Sequence, residues 1–227
     1  SGACGDNVTW KYNTSTYTLT ISGTGAMYDY YYNDRPWEEY EDDIEKVVIN
    51  NGVTTIGTYA FYGCNKITSV TIGDSVTSVN ERAFSSCNSL TSVSIGDNVT
   101  SIGDSAFGYC ESLISITIPN SVTTIDGWAF QRCYSLTNVT IGNGVTTIGA
   151  YAFEDCNKLV SVTIGNSVRR INYYAFRGCS GLKDLTIEDG EGVLSLGYNG
   201  YSEGETSVLQ EHVVGTREYE LIDIDKE

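Results

Sequence analysis

Phe61, Phe84, Phe107, Phe130, Phe153 and Phe176 recur every 23 residues, and a cysteine follows each of them three positions later. A period of this length, kept without insertion, is the signature of a solenoid: one copy cannot bury its apolar face alone and must stack on its neighbours. Residues that recur on every coil are therefore read first as the ones that hold coils together.

One copy shows the full set of apolar columns: Val53, Ile56, Ala60, Phe61, Cys64, Ile67, Val70 and Ile72. The sixth reads Val168, Ile171, Ala175, Phe176, Cys179, Leu182, Leu185 and Ile187, and a partial copy, Ile44, Val47 and Ile49, precedes the first. After Ile187 the register breaks, with Val193 and Leu196 arriving two residues late. Ser69-Val70-Thr71-Ile72 alternates polar and β-branched apolar residues, the period-two pattern of a strand buried on one face. Val53-Thr54-Thr55-Ile56 is read as a second, shorter or bent extended segment. Between them, Ala60, Phe61, Cys64 and Ile67 have helical spacing and predict one or two turns of helix. The column Gly57, Asn80, Gly103, Asp126, Gly149 and Asn172 holds residues that tolerate a left-handed backbone, and is read as the turn ending the second strand. Asp74, Asp97, Asn120, Asn143, Asn166 and Asp189 form another column, expected to bond the backbone two residues on.

The expected fold class is thus a repeat solenoid, a mostly β structure with a parallel ladder and short helical turns, capped at both ends. Its copies resemble the bacterial BspA-like leucine-rich repeats through the core Ala83-Phe84-x-x-Cys87-x-x-Leu90-x-x-Val93-x-Ile95. The likeness spans residues 44–187. Proline often follows the strand in that family, whereas here only Pro119 does and glycine fills most equivalent places. The resemblance implies a curved solenoid on a secreted or cell-surface bacterial protein, used in adhesion or recognition, with no catalytic residues.

Three regions follow: an N-terminal cap at 1–43, the solenoid at 44–187 and an acidic C-terminal cap at 188–227. In the first, Val8, Trp10 and Tyr12 alternate, Asn13-Thr14-Ser15-Thr16 interrupts, and Tyr17, Leu19 and Ile21 alternate again, a hairpin pattern. A segment rich in aromatics and acids follows, from Tyr28 to Tyr40. In the last, glycines from Gly190 to Gly204 lead to Val208-Leu209, Val213-Val214 and Tyr219, Leu221, Ile222 and Ile224, read as one or two closing strands. Residues 1–43 carry eight acids and two bases, 44–187 ten and nine, and 188–227 eleven and two, so almost the whole net charge of −16 sits in the ends. No basic stripe exists to neutralise phosphates, which argues against nucleic acid and anionic membranes as partners. Arg169, Arg170, Arg177 and Lys183 cluster in the last copy and are expected to meet the acidic C-terminal cap. With no run of 18 apolar residues, membrane insertion is not expected.

Seven cysteines raise disulfides or a metal site. Stacked side chains in a ladder point the same way, with Cβ atoms near 4.8 Å, somewhat far for a disulfide. Zinc-type C-x₂₋₄-C spacing is absent. The ladder cysteines are read as buried free thiols, and Cys4 has no assigned partner. The one histidine, His212, follows Glu211 with no nucleophile motif nearby, so no enzyme, cofactor or metal is expected.

Candidate binding residues lie on two variable surfaces. Outward positions of the principal strand include Ser92 and Ser94, Ser115 and Thr117, and Asn138 and Thr140, a flat ladder of short polar groups that could serve a partner or simply suit an exposed sheet. The column Tyr59, Arg82, Ser105, Trp128, Tyr151 and Tyr174 ends in an aromatic strip about 10 Å long. These rings could stack on sugars, anchor a protein or pack on the next coil. The preferred reading is a monomeric, non-catalytic module binding a protein partner, such as a host or neighbouring-cell surface protein. A carbohydrate-binding module is the alternative, and a structural spacer the third.

Overall fold

The computed structural model describes residues 1–32, 34–188, 190–198 and 219–223, and it is a solenoid of parallel strands. Each coil contributes a principal strand and a short second strand. The principal strands Lys46–Ile49, Ser69–Ile72 and Ser92–Ser94 form one ladder, and Ser115–Ile118, Asn138–Ile141, Ser161–Ile164 and Asp184–Ile187 form another. Pairing is parallel and offset by one repeat, so Val70 lies opposite Val93 and Val139 opposite Val162. The second strands run through all coils as a single sheet, from Gly25–Ala26 and Val53–Ile56 through two-residue segments such as Ser101–Ile102.

The segment after each second strand is not helical. Tyr59, Phe61 and Gly63 donate their N–H groups to the carbonyls of Glu81, Ala83 and Ser85 on the next coil, while Ala60, Tyr62 and Cys64 donate three residues back. Every other amide is thus committed between coils, and the i−4 bonds of a helix cannot form. The backbone also turns left-handed twice per coil, at the columns of Tyr59 (φ 56°) and Gly63 (φ 72°). The left-handed residues are therefore not the Gly57 column expected from residue type. The glycines of that column allow close approach between coils instead: a Cβ on Gly149 would stand 2.4 Å from the carbonyl carbon of Asp126. The Asp/Asn column likewise bonds between coils and not locally, with the Asn120 carbonyl oxygen accepting the N–H of Asn143 at 2.8 Å and Asp74 accepting that of Asp97 at 3.1 Å. Asp189 lies outside the described residues.

The core is the set of predicted columns. The phenylalanine rings stack face to face, with centroids 4.9 Å apart for Phe61 and Phe84 and 5.4 Å for Phe107 and Phe130. The thiols of Cys87, Cys110 and Cys133 donate to the carbonyls of Phe61, Phe84 and Phe107 at 3.2–3.3 Å. All seven cysteines are buried and free.

Both ends extend the ladders. Val8–Asn13 and Thr18–Gly23 form the antiparallel hairpin, turned by the Asn13 side chain, which accepts the N–H groups of Ser15 and Thr16. Its second strand pairs in parallel with Lys46–Ile49 and so acts as an extra coil. Trp37 stacks on Phe61 at 5.3 Å and closes the phenylalanine column. Arg35, 5 % exposed, is held by Glu38 at 2.8 Å and Glu41 at 2.6 Å and donates to the Tyr62 carbonyl. At the other end Leu194–Tyr198 joins the second-strand sheet with Leu196 opposite Ile171, which accounts for the two-residue delay. Leu194 and Leu196 are buried there, whereas Val193 is exposed. Tyr219–Asp223 pairs in parallel with Leu194–Tyr198. Gly204, Val208-Leu209, His212, Val213-Val214 and Ile224 lie outside the described residues.

Candidate functional site

Two surfaces of the solenoid depart from its regularity. The first is on the principal-strand face. Ser92, Ser94, Ser115, Thr117, Asn138 and Thr140 all point to solvent. Asn138 and Thr140 lie on continuous ladder, but between Ser92–Ser94 and Ser115–Ile118 the strand pairing is interrupted. On four coils the residue after the strand ties it to the coil before: Gly73 donates to Ile49, Gly142 to Ile118, Gly165 to Ile141 and Glu188 to Ile164 at 2.8–3.0 Å, whereas Gly96 makes no such bond to Ile72. The equivalent residue at the break is Pro119, which has no N–H to donate to Ile95. The strands part there. Val93 and Ile95 become partly exposed, whereas Val70, Ile72, Ile116 and Ile118 are at most 3 % exposed. A groove of about 320 Å³ results, lined by Val93 and Ile95 and flanked by Ser92, Ser94, Ser115 and Thr117. Ile114, which precedes the groove residue Ser115 in the chain, is 53 % exposed.

The second surface is on the turns. Trp128 and Tyr151 stack with centroids 5.2 Å apart and planes 5° apart, and Tyr174 leans on Tyr151 at 5.0 Å. The strip therefore covers much of its own ring surface. On the same column Arg82 lies over Tyr59 and donates to its hydroxyl, the guanidinium carbon 5.5 Å from the ring centre. Between Arg82 and Trp128 the column holds only Ser105, and a cavity of about 540 Å³ opens there. Tyr62, Asp104, Tyr109 and Gln131 also line it, and none of these stood out in the sequence. Their signal was the small residue at 105 in a column otherwise filled by large ones.

Further along, Arg177 of the basic cluster is placed against Glu154 at 3.5 Å and over Tyr174 at 4.9 Å, within the array. Burial pushes the thiols of Cys4, Cys64 and Cys133 up to about 12 and those of Cys87, Cys110 and Cys156 well above their ordinary value, so they are protonated at neutral pH. Among the described residues no group of three or more His, Cys, Asp or Glu side chains is placed to hold a metal, and no helix is long and apolar enough to cross a membrane.

A stack of short parallel strands and turns, repeated every 23 residues around an apolar core, defines a leucine-rich-repeat solenoid. The chain belongs to the BspA-type leucine-rich repeat family: the BspA type Leucine rich repeat region, six copies, matches residues 39–160 and 100–203. It shares its fold with the leucine-rich repeat protein of T. pallidum, at 24% identity and a TM-score of 0.68 over 97% of this chain and 100% of that one. Leucine-rich repeat proteins of Eubacterium ventriosum (20% identity, TM-score 0.43, 85% of this chain and 79% of that one) and Bacteroides ovatus (19%, 0.44, 96% and 76%) are more distant in shape. No curated protein matches the chain. Proteins of this repeat family and fold are typically non-catalytic and serve interactions.

Proposed function

We propose that this chain is a non-catalytic module of a secreted or cell-surface bacterial protein, and that it binds a protein partner through the principal-strand face. The observation that carries this reading is the break at Pro119. There the solenoid offers Val93 and Ile95 in a groove with hydroxyl groups along both walls. Apolar anchors ringed by short polar groups suit a protein surface, since a few buried contacts supply most binding energy and the rim excludes water. Asn138 and Thr140 extend the hydroxyl face onto the next coil. In this reading residues 44–187 present the binding surface, and residues 1–43 and 188–227 cap it. Family membership supports the extracellular placement, and the near-neutral charge of the array is compatible with either partner sign.

The test places bulk in the groove without touching the core. Ser94→Arg and Thr117→Arg, both at exposed positions, should leave the fold intact and abolish capture of a partner from host-cell and bacterial surface extracts. Capture by these variants equal to that of the unaltered chain would overturn the reading. Absence of capture by any form would favour a structural spacer.

A further inference from the structure

We infer that the gap above Ser105 on the turn face is a binding slot for one neutral pyranose ring of a glycan. The column to which Ser105 belongs stacks Tyr59 and Arg82 on one side, and Trp128, Tyr151 and Tyr174 on the other. Ser105 is the missing rung. Its own coil is also small at the next outward position, Gly108, and contributes Asp104 and Tyr109 to the lining of the gap.

Arg82 and Trp128 are two coils apart, about 10 Å at the spacing of a parallel ladder. Trp128 already has Tyr151 on one face, so the face turned toward Ser105 is the one left for a ligand. A ring held at van der Waals distance, about 3.5–4 Å, from both surfaces fits that gap. A pyranose chair, thicker than a flat aromatic ring, fills it better.

The edges of the slot argue for a polyhydroxylated ligand. Tyr62, Asp104, Tyr109 and Gln131 surround the gap, and Ser85 and Ser105 lie near its floor. The Asp104 carboxylate accepts from the Ser105 hydroxyl at 2.8 Å and retains further acceptor capacity. An aromatic side chain of a protein would bring at most one hydroxyl or ring N–H to these groups and leave the rest desolvated without a partner. A sugar places C–H groups on the indole face and hydroxyls around its rim. The carboxylate beside the slot disfavours acidic sugars, while Arg82 is engaged with Tyr59.

This site is separate from the groove at Pro119, and one substitution tests it directly. Ser105 has φ 52°, close to the 53° of Trp128 and 58° of Tyr151, so its backbone already accepts an aromatic residue. Ser105→Tyr should complete the column and plug the slot. The experiment probes immobilised glucose-, mannose-, galactose- and N-acetylglucosamine-terminated oligosaccharides with the full chain, then titrates the best of them while following tryptophan fluorescence. The unaltered chain and the Ser94→Arg variant should bind it, and Ser105→Tyr and Trp128→Ala should each weaken binding about tenfold or more. Should Ser105→Tyr misfold, Trp128→Ala and Tyr62→Ala decide the matter by the same loss. Binding that survives in the folded variants, no signal with any of the four sugars, or binding of N-acetyl-tyrosinamide alone would each overturn the assignment.

Discussion

The indole of Trp128 lies flat on the ring of Tyr151, centroids 5.2 Å apart and planes within 5°. This stack is outside the core, on left-handed residues of consecutive turns. It gives the turn face a second aromatic column beside the buried phenylalanines. A double-mutant cycle of Trp128→Ala and Tyr151→Ala should show a coupling of about 0.5–1.5 kcal/mol in urea unfolding. Additive effects would mean the rings do not support one another.

Replacing Phe107 with Ala should cost about 3–5 kcal/mol, because the ring is fully buried between Phe84 and Phe130. Phe176→Ala should cost less, since that ring is 9 % exposed at the end of the stack. Denaturant unfolding of the two variants checks the order, and equal losses would contradict a nearest-neighbour array.

At Pro119 the expected change is local. Pro119→Ala supplies the missing N–H for the Ile95 carbonyl, a gain of about 1 kcal/mol that the lost rigidity of proline largely offsets. Stability should therefore change little, while hydrogen exchange at residue 119 becomes protected. Exchange there at the rate of an open amide would show that proline does not cause the break.

Alkaline pH should destabilise the fold through its thiols. Burial pushes the folded pKa values of Cys64 and Cys133 from the ordinary 9.0 up to about 12. Between those limits the unfolded chain has lost protons that the folded chain retains. Stability from this source is full below pH 9 and falls as pH rises, by about 1.4 kcal/mol per pH unit for each of these two thiols. Cys133→Ala should lower the slope of stability against pH by one such contribution, and an unchanged slope would remove the thiols as the cause.

Ser86 holds φ 62° where the equivalent residues of the first and last full coils, Gly63 and Gly178, are glycine. Ser86→Gly relieves about 1–2 kcal/mol of left-handed strain and costs about 0.5–1 kcal/mol in chain entropy, so a net gain of about 0.5–1 kcal/mol is expected. Thermal unfolding measures it, and a lower melting temperature would contradict the strain argument.

Much of this architecture is legible in the residue order. Val70, Phe61, Cys64 and their equivalents recur at one spacing, and stacking is the one arrangement that buries every column together. The hairpin at Val8–Gly23 and the two-residue delay before Leu196 are visible for the same reason, as changes of period. The turn after the second strand is not legible in the same way, because Ala60, Phe61, Cys64 and Ile67 have the spacing of a helix while every other amide from Tyr59 to Gly63 donates to the next coil.

The candidate surfaces were legible only in part. Trp128, Ser94 and Thr117 stand out as variable or outward residues, and Pro119 as a departure from the repeat. Their consequence depends on what lies one coil away: an Ile95 carbonyl without its donor, and an indole face left open because Ser105 is small. The chain by itself determined the period, the buried columns and the acidity of both ends, since these follow from residue types and their positions in the sequence. The tertiary structure alone decided where the ladder parts and where the aromatic column is empty, because both arise between residues that meet only when successive coils stack.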